Sequence, residues 1–140
     1  MAREDIEKML SERHQAYRTH DVATIVAQHA DDCVMLSPWA GTITGRSAIK
    51  EVYETWFRSF PDAAYISEEA LIDGDRVAEM AVLTGTDVGG FMGLPPTKKP
   101  FRIPMVWLYS VRGREWTHVR PVYDFTGMLL QIGVLKAKPL

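Results

Sequence analysis

The stretch Ile49-Lys50-Glu51-Val52-Tyr53-Glu54-Thr55-Trp56-Phe57-Arg58-Ser59-Phe60-Pro61 decides the fold. Ile49, Val52, Tyr53, Trp56, Phe57 and Phe60 keep helical spacing until Pro61, which lacks an amide proton and ends the run. The helix so predicted carries bulky aromatics along one face, and that face needs a partner surface.

The sequence after Pro61 changes its period and offers that surface. Residues 65–72 and 76–86 read as strands joined by the turn Asp73-Gly74-Asp75, and residues 101–111 and 115–125 as two more around Arg112-Gly113-Arg114. Residues 127–135 read either as a closing helix or as an irregular last segment. On the N-terminal side, Ile6, Met9, Leu10 and Tyr17 recur at helical spacing, so a first helix runs from Arg3 to about Thr19. A short second helix follows, with Asp21 as its cap and Val22, Ile25, Val26 and His29 on its inner face. Asp31-Asp32 end that helix, and residues 33–36 form a short strand. The expected class is α+β: a curved antiparallel sheet wrapped around a long helix, with two N-terminal helices closing a cavity, in one domain spanning residues 1–140.

The composition agrees with such a domain. With 140 residues, 46% apolar and 24% charged, the chain can bury a sizeable core without staples. A formal net charge of -2 gives no footprint for nucleic acid or an anionic membrane. Cys33 is the one cysteine, so no intrachain disulfide forms, and its neighbours Val34, Met35 and Leu36 point to a buried, inert thiol. The charged start Met1-Ala2-Arg3-Glu4-Asp5 is unlike a secretory signal, and no apolar run approaches the roughly 20 residues that span a bilayer. A cytoplasmic protein is expected.

Several chemistries find no pattern here. Gly85, Gly89, Gly90 and Gly93 lie between strands, whereas a phosphate loop joins a strand to a helix whose amino end holds the phosphate. His14, His20, His29 and His118 lack zinc-site spacing, no serine sits in a Gly-x-Ser-x-Gly elbow, and Cys33 has no adjacent base. Neither a metal nor a cofactor is expected.

The long segment Gly90-Phe91-Met92-Gly93-Leu94-Pro95-Pro96-Thr97-Lys98-Lys99-Pro100 joins two strands in the manner of a lid or a subunit contact. It resembles the Gly-x-Phe-x-Gly-x-Pro-Pro-Thr-Gly-Lys stretch of the SnoaL-like polyketide cyclases. Gly45-Arg46, Phe60-Pro61-Asp62, Gly85-Thr86 and Tyr123-Asp124-x-x-Gly127-x-Leu129-x-Gln131-x-Gly133 are similar to that family in register. The resemblance implies the cone-shaped α+β barrel also used by ketosteroid isomerase and scytalone dehydratase, assembled as a homodimer or higher oligomer. It also implies that Asp124, in the matching Tyr-Asp-x-x-Gly context, is the acid/base group.

Alternation along the last strand gives one face to Trp116, His118, Arg120, Val122 and Asp124 and the other to Thr117, Val119, Pro121, Tyr123 and Phe125. A carboxylate at the mouth of an apolar cavity suits proton transfer near neutral pH, because desolvation raises its pKa. Asp124 is therefore the candidate catalytic group and His118 a candidate orienting or relay residue. The competing reading makes Asp124 a cap for the segment near Thr126 or a partner of Arg120. Trp39, Trp56, Phe60, Met80, Met105 and Trp107 are candidates to line a pocket for a small apolar or aromatic molecule, with core packing as their other reading.

Three positions depart from the family pattern. Arg120 stands where many members have tryptophan, Met80 where several have a basic or polar residue, and Asp87 where a histidine usually follows Gly-Thr. Arg120 would depress a neighbouring Asp124, or would itself bind a substrate carboxylate or enolate oxygen. The reading that follows is a cofactor-independent enzyme that removes a proton alpha to a carbonyl and returns one to the aldol oxygen. A hydrolase, dehydratase or isomerase on the same scaffold is the near alternative. A non-catalytic ligand-binding or oligomerisation module is the distant one.

Overall fold

The computed structural model describes residues 2–138, in the order α1 (Arg3–Arg18), α2 (Val22–Ala27), β1 (His29–Ser37), β2 (Gly41–Thr44), α3 (Arg46–Ser59), β3 (Ala64–Asp73), β4 (Arg76–Thr86), β5 (Pro100–Arg112), β6 (Glu115–Tyr123) and α4 (Phe125–Gln131). The strands form one curved, unclosed sheet in the order β2-β1-β6-β5-β4-β3. Neighbours are antiparallel except β1 and β6, which run parallel. The α+β class expected from the spacing is what the chain adopts. α3 buries Ile49, Tyr53, Trp56, Phe57 and Ser59, and Phe60 just beyond it is fully enclosed.

Three elements differ from the sequence reading. Strand β1 starts at His29 and includes Asp31 and Asp32, which were expected to end the second helix. Both aspartates are exposed on the strand, and Asp31 pairs with Arg46 at 2.7 Å, so charge there is solvated and does not break the strand. β2 was not anticipated, because Gly41-Thr42-Ile43-Thr44 is too short and too little apolar to stand out. The last segment resolves as a helix that begins at Phe125, with Asp124 as its N-cap.

The faces of β6 are also shifted. Ser110 of β5 pairs with His118 while Val111 pairs with Trp116, so Thr117 is an extra residue in the ladder. The bulge puts Trp116, Val119 and Pro121 on the buried side and leaves His118, Arg120 and Val122 exposed. Strict alternation had grouped His118 and Arg120 with Trp116. In β4, Val77, Glu79, Ala81 and Leu83 are the buried set, which turns Met80 to the outer side.

The segment between β4 and β5 is organised by Asp87, which is completely buried. Its carboxylate accepts from the amides of Gly90 and Thr97, each at 3.0 Å, and from the Thr97 hydroxyl at 3.1 Å. Gly89 passes so close to α3 that a Cβ would lie 1.9 Å from the Arg58 carbonyl oxygen, which is why a glycine stands there. These ties fold Phe91 into the core, against Trp39, Trp56 and Phe60. Phe91 is thus a built part of the aromatic interior, while Met92 and Leu94 of the same loop stay exposed. Asp87→Ala should destabilise the protein by about 2 kcal/mol, since three part-buried donors lose their acceptor. Urea unfolding checks this, and Asp87→Asn should cost less.

Candidate functional site in the cone interior

The concave face of the sheet and the inner sides of α1 and α3 surround a cavity. α1 contributes Tyr17, α3 contributes Val52, Tyr53 and Trp56, and the turn after β1 contributes Trp39. The strands supply Met35 and Ser37 from β1, Leu83 from β4, Met105 and Trp107 from β5, and Pro121 and Tyr123 from β6. The space amounts to about 390 Å³ including its open mouth, and about 40 Å³ of it is wide enough for a water-sized body. The enclosed space is therefore narrow, and a ligand larger than a few waters requires lining side chains such as the half-buried Trp39 to move.

Of the residues singled out from the sequence, Trp39, Trp56, Met105 and Trp107 meet in this lining. Phe60 lies deeper, with Phe91 and Phe101 5.1 Å away and no share of the cavity wall. Met80, His118 and Arg120 lie on the outer side of the sheet for the register reasons given above. There His118 and Arg120 share a shallow depression with Leu36, Leu71 and Leu108. Asp124 is exposed, and its Oδ1 accepts from the Gly127 amide at 2.8 Å, so it caps α4 just beyond the cavity residue Tyr123.

The polar chemistry of the interior comes from residues the sequence reading passed over. Arg13 is fully buried on the inner stripe of α1 and donates from an Nη to the Tyr53 hydroxyl at 2.8 Å. Its guanidinium lies 4.4 Å from the Trp107 ring centre and 5.3 Å from that of Tyr109. Glu79 is also fully buried, and its carboxylate meets the His14 imidazole at 2.5 Å and the Ser67 hydroxyl at 2.9 Å. Both charges sat at inward positions of their periods: Arg13 between Met9, Leu10 and Tyr17, and Glu79 between Val77 and Ala81. A charge inside an apolar stripe was the signal that could have found them.

The lining itself is short of acids and bases. Among the described residues, no carboxylate or histidine belongs to the cavity wall. Burial pushes the hydroxyls of Tyr17, Tyr53 and Tyr123 above the ordinary phenol range, so each stays protonated and able to donate near neutral pH. The indole N–H groups of Trp56 and Trp107 are buried without an acceptor in the protein. No group of three His, Cys, Asp or Glu side chains among the described residues is placed to hold a metal, and no helix there is long and apolar enough to cross a membrane.

The model of the SnoaL-like polyketide cyclases matches residues 8–132, and the chain belongs to that family. Among solved structures, wild-type IdmH, a candidate polyketide cyclase from Streptomyces antibioticus, is 27% identical with a TM-score of 0.77, over 91% of this chain and 97% of its own. A ketosteroid isomerase-like protein from Catenulispora acidiphila, solved with trimethylamine, is 24% identical with a TM-score of 0.78, over 89% of this chain and 92% of its own. TerC, co-crystallised with polyporic acid, is 18% identical with a TM-score of 0.76, over 92% and 98%. These last two show the shared fold. No curated protein matches the chain.

One titration tests the interior electrostatics. Burial, and then the Arg13 charge, pull the His29 imidazole from 6.5 down to about 3, while its Nδ1 pairs with the Ile25 carbonyl. The unfolded chain binds that proton at the ordinary value and the folded chain does not. Stability from this group is therefore full above pH 6.5 and falls as the pH drops toward about 3. The slope should reach about 1.4 kcal/mol per pH unit, and urea midpoints should show it flattened in His29→Leu.

Proposed function

We propose that the protein acts on a small, flat, carbonyl-bearing molecule of polyketide type held in the cone cavity, by cyclase-type proton transfer that needs no cofactor. The observation that carries this reading is the cavity wall itself. It is almost wholly aromatic and apolar, which suits a small, flat, apolar guest. Membership of the cyclase family supports the reaction class, and the TerC complex with polyporic acid supports the fold as a holder of small molecules. A conjugated substrate delocalises the charge that develops when a carbon alpha to its carbonyl loses a proton, so orientation and hydrogen bonding supply much of the catalysis.

In this reading Asp124 is the proton acceptor for a substrate that extends past Tyr123 to the mouth, with its capping bond to Gly127 fixing the carboxylate. The outward placement of His118 and Arg120 gives them no part in it. A second reading, a ligand-binding protein without turnover, is favoured by the lack of any carboxylate or histidine in the described wall. Asp124→Asn separates the two, because asparagine also caps helices well and should leave folding unchanged. Loss of at least about a hundredfold in turnover of an aromatic polyketide is expected, and undiminished turnover would remove Asp124 from the mechanism. A thermal-shift screen with flat aromatic carbonyl compounds should raise the melting temperature of the wild type, and less so for Met105→Trp, which fills the slot.

The outer side of the sheet is assigned to a second copy of the chain. Leu36, Leu71, Leu108 and Val122 are exposed there, an apolar face that a lone domain leaves in water. Leu108→Glu should convert the assembly to monomers in sedimentation velocity, and a wild type that sediments as a monomer would refute the assignment.

A further inference from the structure

The cavity is nearly shut, and burial along its wall locates where it opens. Most wall residues are buried, whereas Ser37, Trp39, Val52 and Tyr123 are half-buried and so mark the mouth. Two of its sides are fixed. Val52 is held by α3, and Tyr123 ends β6 with its ring 6.3 Å from that of Trp56 and 6.4 Å from that of Phe125. The third side is the turn of residues 38–40, which joins the paired residues Ser37 and Gly41 at the edge of the sheet, where β2 has β1 as its one neighbour.

Trp39 on that turn is held from one direction. Its ring meets Phe91 edge-on at 5.6 Å, and among the described residues its indole N–H makes no hydrogen bond. Phe91 itself is fully buried, gripped from behind by Trp56, Phe60 and Phe125, and its loop is tied down by Asp87. Of the two rings that meet at the mouth, Phe91 is therefore the fixed one and Trp39 the one free to rotate. The Ser37 hydroxyl accepts from the Ala40 amide at 3.1 Å, so the turn keeps its shape while the side chain moves. One edge-on ring pair is a weak latch, and a partly exposed side chain changes rotamer readily.

We propose that Trp39 is the gate of the cone cavity: resting against Phe91 it closes the mouth, and swinging off Phe91 it admits an apolar ring compound to the space behind. The proposal rests on the reading of the cavity as the ligand site and adds what controls entry to it. With Trp39 in place the interior has about 40 Å³ wide enough for a water-sized body, so the closed form holds no ring compound and binding waits on the open one. The open fraction multiplies the rate of entry, which makes Trp39 a brake on association and not merely a piece of wall.

The test follows N-phenyl-1-naphthylamine, a neutral dye that brightens in apolar surroundings, by stopped-flow mixing with the full chain. Trp39→Ala should raise the association rate constant at least about tenfold while circular dichroism remains native, because every molecule is then open. If Trp39→Ala does not fold, Trp39→Leu, which has no ring to rest on Phe91, carries the test with the same direction of change. A residue that only lines the wall would alter dissociation alone. An association rate constant unchanged in the folded variant, or an effect confined to dissociation, overturns the gate and leaves the cavity reading standing. Failure of the dye to bind wild type, or binding that survives Met105→Trp in a folded protein, overturns both.

Discussion

The aromatic face of α3 is the constraint on which the rest of the structure depends. Tyr53, Trp56, Phe57 and, just past the helix end, Phe60 project a surface too broad for a flat layer, and it is covered only because the six strands bend around it. Bending is shared among the bulges of β3 and β6 and the parallel docking of β1 on β6, which extends the sheet beyond the four-strand meander. Large rings meeting edge to face leave slots where branched aliphatics would close up, and the cavity is one of those slots. The cavity is therefore a by-product of the same packing that holds the domain together.

Placing charge inside such an interior carries a cost that has to be offset locally. Glu79 meets it with three donors from α1, β3 and β5, which also tie those elements to β4. Arg13 meets it with the phenols of Tyr53 and Tyr65 and a stack of rings. Packing alone does not require a cation there, since a methionine fills similar volume on the stripe between Leu10 and Tyr17.

Much of this was legible in the sequence, for reasons that also explain the misses. The helices and the long strands showed because burial on one face imposes a period, and α3, β4 and β5 have clean ones. The bulge at Thr117 was not legible, since one inserted residue leaves no mark in composition yet moves His118 and Arg120 to the outer side. The same holds for β2, whose four residues carry no apolar alternation. Four of the six apolar residues chosen for the pocket line it, because size and aromaticity track interior position; Phe60 and Met80 missed through depth and parity. Polar candidates fared differently. They were sought where the family motif lies, at the end of β6, whereas Arg13 and Glu79 were hidden in stripes scanned only for apolar residues.

That difference bears on how a shared fold comes to serve different reactions. The scaffold fixes where the slot lies and the motif at Tyr123-Asp124 fixes how the sheet hands over to α4, since Asp124 spends Oδ1 on the cap. The side chains along the cavity wall come instead from α1 and α3 as much as from β6. Here the wall is almost wholly apolar, and the buried cation of Arg13 lies behind Tyr53 and Trp107, so the charge of the interior is layered beneath the surface that faces the cavity.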